Sequence, residues 1–188
     1  MIGIARLAGL IQRFARSREG VAAVEFALIL PIMLTLYLGS IEASRLISVD
    51  RRVTLVAGAL GDLIARQQTS ITAATVTSYM NLTKDMMAQA GTGIPKQTVS
   101  LVYLKDGVSS VVWSSAQGGA TARAEDSAFP FATTDQIKTL VPDGYVVVSE
   151  VSYSYAPLLD LFFKSSFELY HRGVYLPRFG NIISCADC

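Results

Sequence analysis

Apolar positions run almost unbroken from Val21 to Ile41, 21 residues with a single charge, Glu25. A helix rising 1.5 Å per residue needs about 20 such residues to cross a hydrocarbon core. The run therefore predicts a transmembrane segment over 21–42. Pro31 removes one backbone hydrogen bond and crowds the preceding turn, so a kink or local melting is expected near Ala27. Beyond Ile41 the pattern becomes periodic. Leu46, Val49, Val53, Val56, Leu60 and Leu63 are spaced 3, 4, 3, 4, 3, while Arg45, Asp50, Arg51, Arg52, Asp62 and Arg66 fall off that seam. This predicts a stalk helix over 43–68 whose stripe packs on the protein's own head, with its membrane-proximal part open to neighbouring subunits. A helix unbroken from Val21 to about Arg66 would be roughly 70 Å long, well beyond the thickness of a bilayer core.

Thr69 and Ser70 are candidate caps for a second helix, roughly Ala73 to Ala90, with Val76, Tyr79, Met80, Leu82, Met86 and Met87 as its apolar set. GTGIP at 91–95 ends it. From there the period changes to two. TVSLVYL and GVSSVVWS flank Lys105-Asp106-Gly107, a hairpin signal. A Gly/Ala-rich loop over 116–131 and a short helix at 134–140 follow. A third strand, YVVVSEVSYSY, places Tyr153 and Tyr155 on one face, and a fourth is expected at about 167–176 after the apolar LLDLFF. The fold class is α+β: a long N-terminal transmembrane and stalk helix, then a small head over 69–188 with an antiparallel sheet of three to four strands.

Charge fixes the direction of insertion. Residues 1–20 carry Arg6, Arg13, Arg16 and Arg18 against Glu19, whereas residues 21–188 hold 12 bases and 14 acids. A basic leader of this kind stays in the cytoplasm, so the head is expected in the periplasm, on a single-pass inner-membrane anchor. The basic excess lies outside any folded element and is not a nucleic-acid footprint. An ordinary secretory signal fits poorly, because the apolar run is too long and no small-x-small cleavage site follows it. The small residue, Gly20, lies between the basic and apolar regions instead.

Cys185 and Cys188 stand as CADC. In an exported chain the pair favours a structural disulfide over a redox pair, and two Cys without a second pair or a nearby His do not build a zinc site. His171 sits on a predicted strand as a surface or hydrogen-bonded side chain, and Trp113 reads as hairpin packing. No nucleophile elbow, zinc-protease, phosphate-loop or dinucleotide motif is present, so no catalytic residue, metal or cofactor is assigned and the chain does not read as an enzyme.

Gly20, Glu25 and Phe26 form G-VAAV-EF at the border of the leader and the apolar helix. With RSREG before it and FALILPIMLTLYLGSIEASR after it, this segment, about 14–50, resembles the TadE/TadG-like family, minor pseudopilins of the Tad (Flp, type IVb) pilus system. Weaker echoes lie in VVVSEVSYSYAP, in YLPR at 175–178 and in the terminal Cys; YLPR departs from the RPR common in the family, at Arg178. The chain's size fits the TadE type rather than the longer TadG type. The resemblance implies cutting by a prepilin peptidase between Gly20 and Val21. It also implies a role for Glu25 and Phe26 in assembly, with other pilins and pseudopilins, the inner-membrane assembly platform and the lipid bilayer as partners, and a place in a pilus that serves adhesion. The alternative is an uncleaved single-pass anchor carrying a structural or interaction domain, with Glu25 snorkelling to the interface.

Overall fold

In the computed structural model the described residues are 20–88, 93–131, 141–158, 165–180 and 182–188. The leader before Gly20, the expected helix at 134–140 and most of LLDLFF lie outside them. Helix α1 spans Val21–Ala65 and α2 spans Ala73–Asp85. Four strands follow: β1 Lys96–Lys105, β2 Val108–Gln117, β3 Asp143–Tyr155 and β4 Phe167–Tyr175. The long helix and antiparallel sheet make the chain α+β, as the two periodicities predict.

The chain divides into two compact units, one ending at Ser44 and the other Arg45–Cys188. In the first, α1 continues through Pro31 without the local melting expected there. The Thr35 hydroxyl donates to the Pro31 carbonyl at 2.7 Å. Val24, Leu28, Leu36 and Tyr37 are each more than 60 % exposed, and the most apolar stretch of the helix has none of its residues buried. A helix of this length and composition can cross a membrane, and one packed inside a soluble core would have covered these side chains.

In the second unit all neighbouring strands are antiparallel, in the order β2-β1-β3-β4. The hairpin turns at Asp106 (φ 49°) and Gly107 (φ 80°), two left-handed residues in succession, as a two-residue hairpin turn requires. Strand alternation gives the sheet two different faces. Val99, Leu101 and Val147 pack with Leu60, Ile64, Val76, Met80 and Trp113. Val151, Tyr153 and Tyr155 pack with Val49, Val53, Val56 and Ala57. The stripe on α1 thus meets the sheet, and each fully buried aliphatic side chain contributes about 1.5–3 kcal/mol. Its last position differs: Leu63 is only half-buried, and Ile64 is the core residue. A straight α-helix drifts about 20° per heptad against a 3.5-residue repeat, which brings the next residue inward.

The second helix also departs from expectation at its ends. Thr72 is its N-cap, its hydroxyl accepting from the Thr75 amide at 3.3 Å. Thr69 and Ser70 instead enter a parallel bridge to Ser184: Ser184 N–H donates to Thr69 C=O, and Ile71 N–H to Ser184 C=O, both at 2.9 Å. The helix closes at Asp85, and Leu82 and Met86 are exposed while Met87 enters the core. Ile183 is fully buried, and its carbonyl accepts from Trp113 Nε1–H at 2.7 Å. This satisfies the one polar atom of a buried indole.

The other sheet face is covered in part. Val102, Leu104, Val111, Val146 and Val148 pack beneath Phe129 and Phe131. The covering segment leaves β2 through Gly118 (φ 74°), where an added Cβ would collide with the Pro95 carbonyl oxygen. It returns beside β2, with Val111 N–H donating to Ser127 C=O at 2.9 Å.

Candidate functional site

The residues singled out at the border of the apolar run fall at the beginning of α1. Val21 is its first residue, and Glu25 follows one turn later. Gly20, Val21, Glu25 and Phe26 are all exposed. A Cβ built on Gly20 would meet nothing within 4 Å, so neither space nor backbone conformation requires glycine there. Among the described residues Glu25 has no hydrogen-bond or ion-pair partner. The four positions are exposed backbone and side chain at the first turns of the helix.

Cys185 and Cys188 are joined, with Cα atoms 5.5 Å apart. Asp187, between them, accepts from the Ala73 amide at 3.0 Å, so the small loop supplies a carboxylate to the first turn of α2. An acidic group there satisfies an orphan N–H and opposes the positive end of the helix. Cys185, Asp187 and Cys188 also bring three potential ligand atoms within 4.8 Å of one another. Bonded to each other, however, the two sulfurs are not thiolate ligands.

His171 and Arg178 tie strands to helix. His171 Nε2 lies 2.7 Å from Asp50 Oδ1 on α1. Arg178 donates to Asp62 at 2.6 Å through Nη2, and its backbone N–H donates to the Ala65 carbonyl at 2.9 Å. Arg66 bonds the other Asp62 oxygen. The Arg66 and then the Arg178 hydrogen bond hold the Asp62 carboxyl below its ordinary pKa. These are fastenings between elements, and they give Arg178 a role in holding the segment after β4 against the end of α1.

One cluster was not foreseen from the sequence. Glu150, on β3, is only 8 % exposed. It stands directly opposite Arg172 of β4. Its Oε1 accepts from Arg172 Nη2 at 3.0 Å and from the Tyr170 hydroxyl at 2.5 Å. Its Oε2 accepts from Arg123 Nη2 at 2.6 Å and Nε at 3.2 Å. Burial alone would raise the Glu150 carboxyl, but the Tyr170 hydroxyl and the two guanidiniums outweigh it and hold the pKa below its ordinary value. Arg172 of β4 lies over the Phe129 ring at 5.2 Å, which fixes the covering segment to the sheet, and Arg123 lies over the same ring at 4.5 Å. The signal in the sequence was a lone acid inside a run of Val and Ser on a strand. Nothing local linked it to Arg123, 27 residues earlier.

The model of the TadE-like protein family matches residues 20–59. The match begins at Gly20, takes in Val21, Glu25 and Phe26, and ends within the part of α1 that packs on the sheet. It bears out the family resemblance over that segment and associates it with Tad pilus systems, whose proteins of this kind are structural rather than enzymatic. The four strands lie outside the match. No curated protein and no solved structure matches the chain.

Proposed function

We propose that this protein is a minor pseudopilin of a Tad-type pilus, cut by a prepilin peptidase between Gly20 and Val21 and then carried by α1 into the assembling pilus or its initiating complex. The observation that carries the reading is Glu25, exposed and without a partner among the described residues, one turn into an apolar helix that matches the TadE-like family. A carboxylate at membrane depth costs about 2.5–3.5 kcal/mol on insertion scales. Among the described residues nothing offsets that cost, which favours a compensating group on another molecule.

Cleavage would create that group. The new amine on Val21 lies one turn from the subunit's own Glu25, and on a neighbouring helix it can reach a Glu25 carboxylate in low dielectric. Such a pair penalises wrong axial registers, the best-attested use of a buried charge. Gly20 suits the cut for a matching reason. A Cβ at Gly20 would meet nothing within 4 Å, and a glycine kept where packing does not require it suits a protease that reads extended backbone. In this orientation the leader remains cytoplasmic and residues 45–188 are periplasmic, where the Cys185–Cys188 disulfide persists.

A pilus assembly assay with Glu25→Ala and Glu25→Gln, each expressed at wild-type level, tests the reading. Both variants should insert and fold, and both should fail to co-purify with the other pilins. Normal pili in both would leave an uncleaved anchor as the better account.

A further inference from the structure

Beside that apolar cluster the outer sheet face carries two polar rows. Thr98, Glu150 and Arg172 are cross-strand neighbours in one; Lys96, Ser152 and Tyr170 are neighbours in the next. Two residues along a strand separate the rows by about 7 Å. Together with Ala120 and Arg123 from the covering segment, the residues of these rows other than Arg172 line an open cleft of about 230 Å³. We infer that this cleft is a binding subsite for one carboxylated sugar unit, a hexuronate.

The donors and their states support that class. Arg123 spends Nε and Nη2 on Glu150, while its Nη1 makes no hydrogen bond among the described residues. Lys96 is exposed and likewise has no acidic partner there. Against them stands one carboxylate, Glu150, whose oxygens are already occupied by Arg123, Arg172 and Tyr170. The cleft therefore presents uncompensated positive charge held in place, suited to a ligand carboxylate. The hydroxyls of Thr98 and Ser152 make no hydrogen bond among the described residues, and each can both donate and accept, as sugar hydroxyls require. Tyr170 is 50 % exposed, and its hydroxyl is fixed on Glu150. Its ring offers an apolar platform at little entropic cost. The volume lies below the range of about 300–1,000 Å³ usual for drug-sized ligands, which fits one ring and not a longer segment. An acidic peptide side chain would use the charges but leave the hydroxyl pair and the ring idle.

The subsite lies in residues 96–170 and does not depend on processing at Gly20. Full-length protein in detergent micelles, titrated with glucuronate and followed by amide NMR shifts, tests it. Saturable shifts should appear at Lys96, Thr98, Ala120, Ser152 and Tyr170, with a dissociation constant on the order of 1 mM. Glucose and acetate should each bind at least about tenfold more weakly, a difference that requires both charge and hydroxyl recognition. Lys96→Gln should weaken glucuronate about fivefold or more while leaving the core amides of Val99, Val147 and Val151 unmoved. No saturation by about 20 mM glucuronate overturns the inference. So does acetate or inorganic phosphate binding as tightly as glucuronate, which would leave a bare anion hole. Equal binding of glucose, or tighter binding of N-acetylglutamate amide, overturns it as well.

Discussion

The ring of Tyr175 occupies the space that a side chain at Gly61 would need. A Cβ on Gly61 would lie 2.5 Å from Tyr175 Cδ2 and 2.9 Å from the Ser149 hydroxyl. Gly58, one turn earlier, faces the Tyr175 hydroxyl, and Gly173 leaves room for Ser149 to donate to the Ala57 carbonyl at 2.5 Å. Glycines on both elements thus bring α1 and the sheet together closely enough for a side chain to bond helix backbone.

Gly61→Ala is predicted to destabilise the unit Arg45–Cys188 by about 1–3 kcal/mol. Overpacking outweighs the gain of up to about 1 kcal/mol in helix propensity. Thermal unfolding measures it. Tyr175→Leu in the same chain should recover part of the loss, and an unchanged or raised midpoint for the single variant would contradict the packing.

Glu150→Gln is predicted to cost about 2–4 kcal/mol, because two guanidiniums lose their shared anion at a largely buried site. The same residue sets a pH dependence. Its folded-state pKa is depressed, so its contribution is fully present above the ordinary glutamate value, near 4.5, and is lost as pH falls through the lower folded value. Denaturant midpoints across pH 3–6 should fall more steeply for the wild type than for Glu150→Gln. Parallel curves would show that Glu150 does not carry the effect.

Cys185 and Cys188 close a loop too short to gain much from chain entropy. The Cys185→Ser/Cys188→Ser double variant should therefore fold with a loss of about 1 kcal/mol or less. What it should lose is order around Asp187, seen as faster hydrogen exchange at Ala73 and Ser184. Ile183→Ala, by contrast, opens a core position and should cost about 2–5 kcal/mol. Two free thiols in protein taken from the exported compartment would remove the basis for the first part.

How much could be read in advance depended on how local each feature was. The long apolar helix, the hairpin at Asp106-Gly107 and strands β3 and β4 follow from short-range period and turn chemistry, and the structure places them within a few residues. The stripe from Leu46 to Leu60 was legible, but the switch from Leu63 to Ile64 follows from helical drift that spacing alone conceals. Thr72 displaced Thr69 and Ser70 as the cap because Thr69–Ile71 pair as a bridge with Ser184, more than 100 residues away. The Glu150 cluster was hidden for the same reason. Its partners come from β4 and from the segment after β2, and only strand register brings them together. The family resemblance around Gly20 and Glu25 was legible because it lies in a short contiguous segment, which the TadE-like match covers.

The account turns on the bond between Gly20 and Val21. N-terminal sequencing of the protein purified from cells that produce the pilus should yield a mature chain beginning at Val21. The Gly20→Val variant should retain its leader while still inserting in the membrane. Wild-type protein that still carries residues before Val21 would contradict the pseudopilin reading.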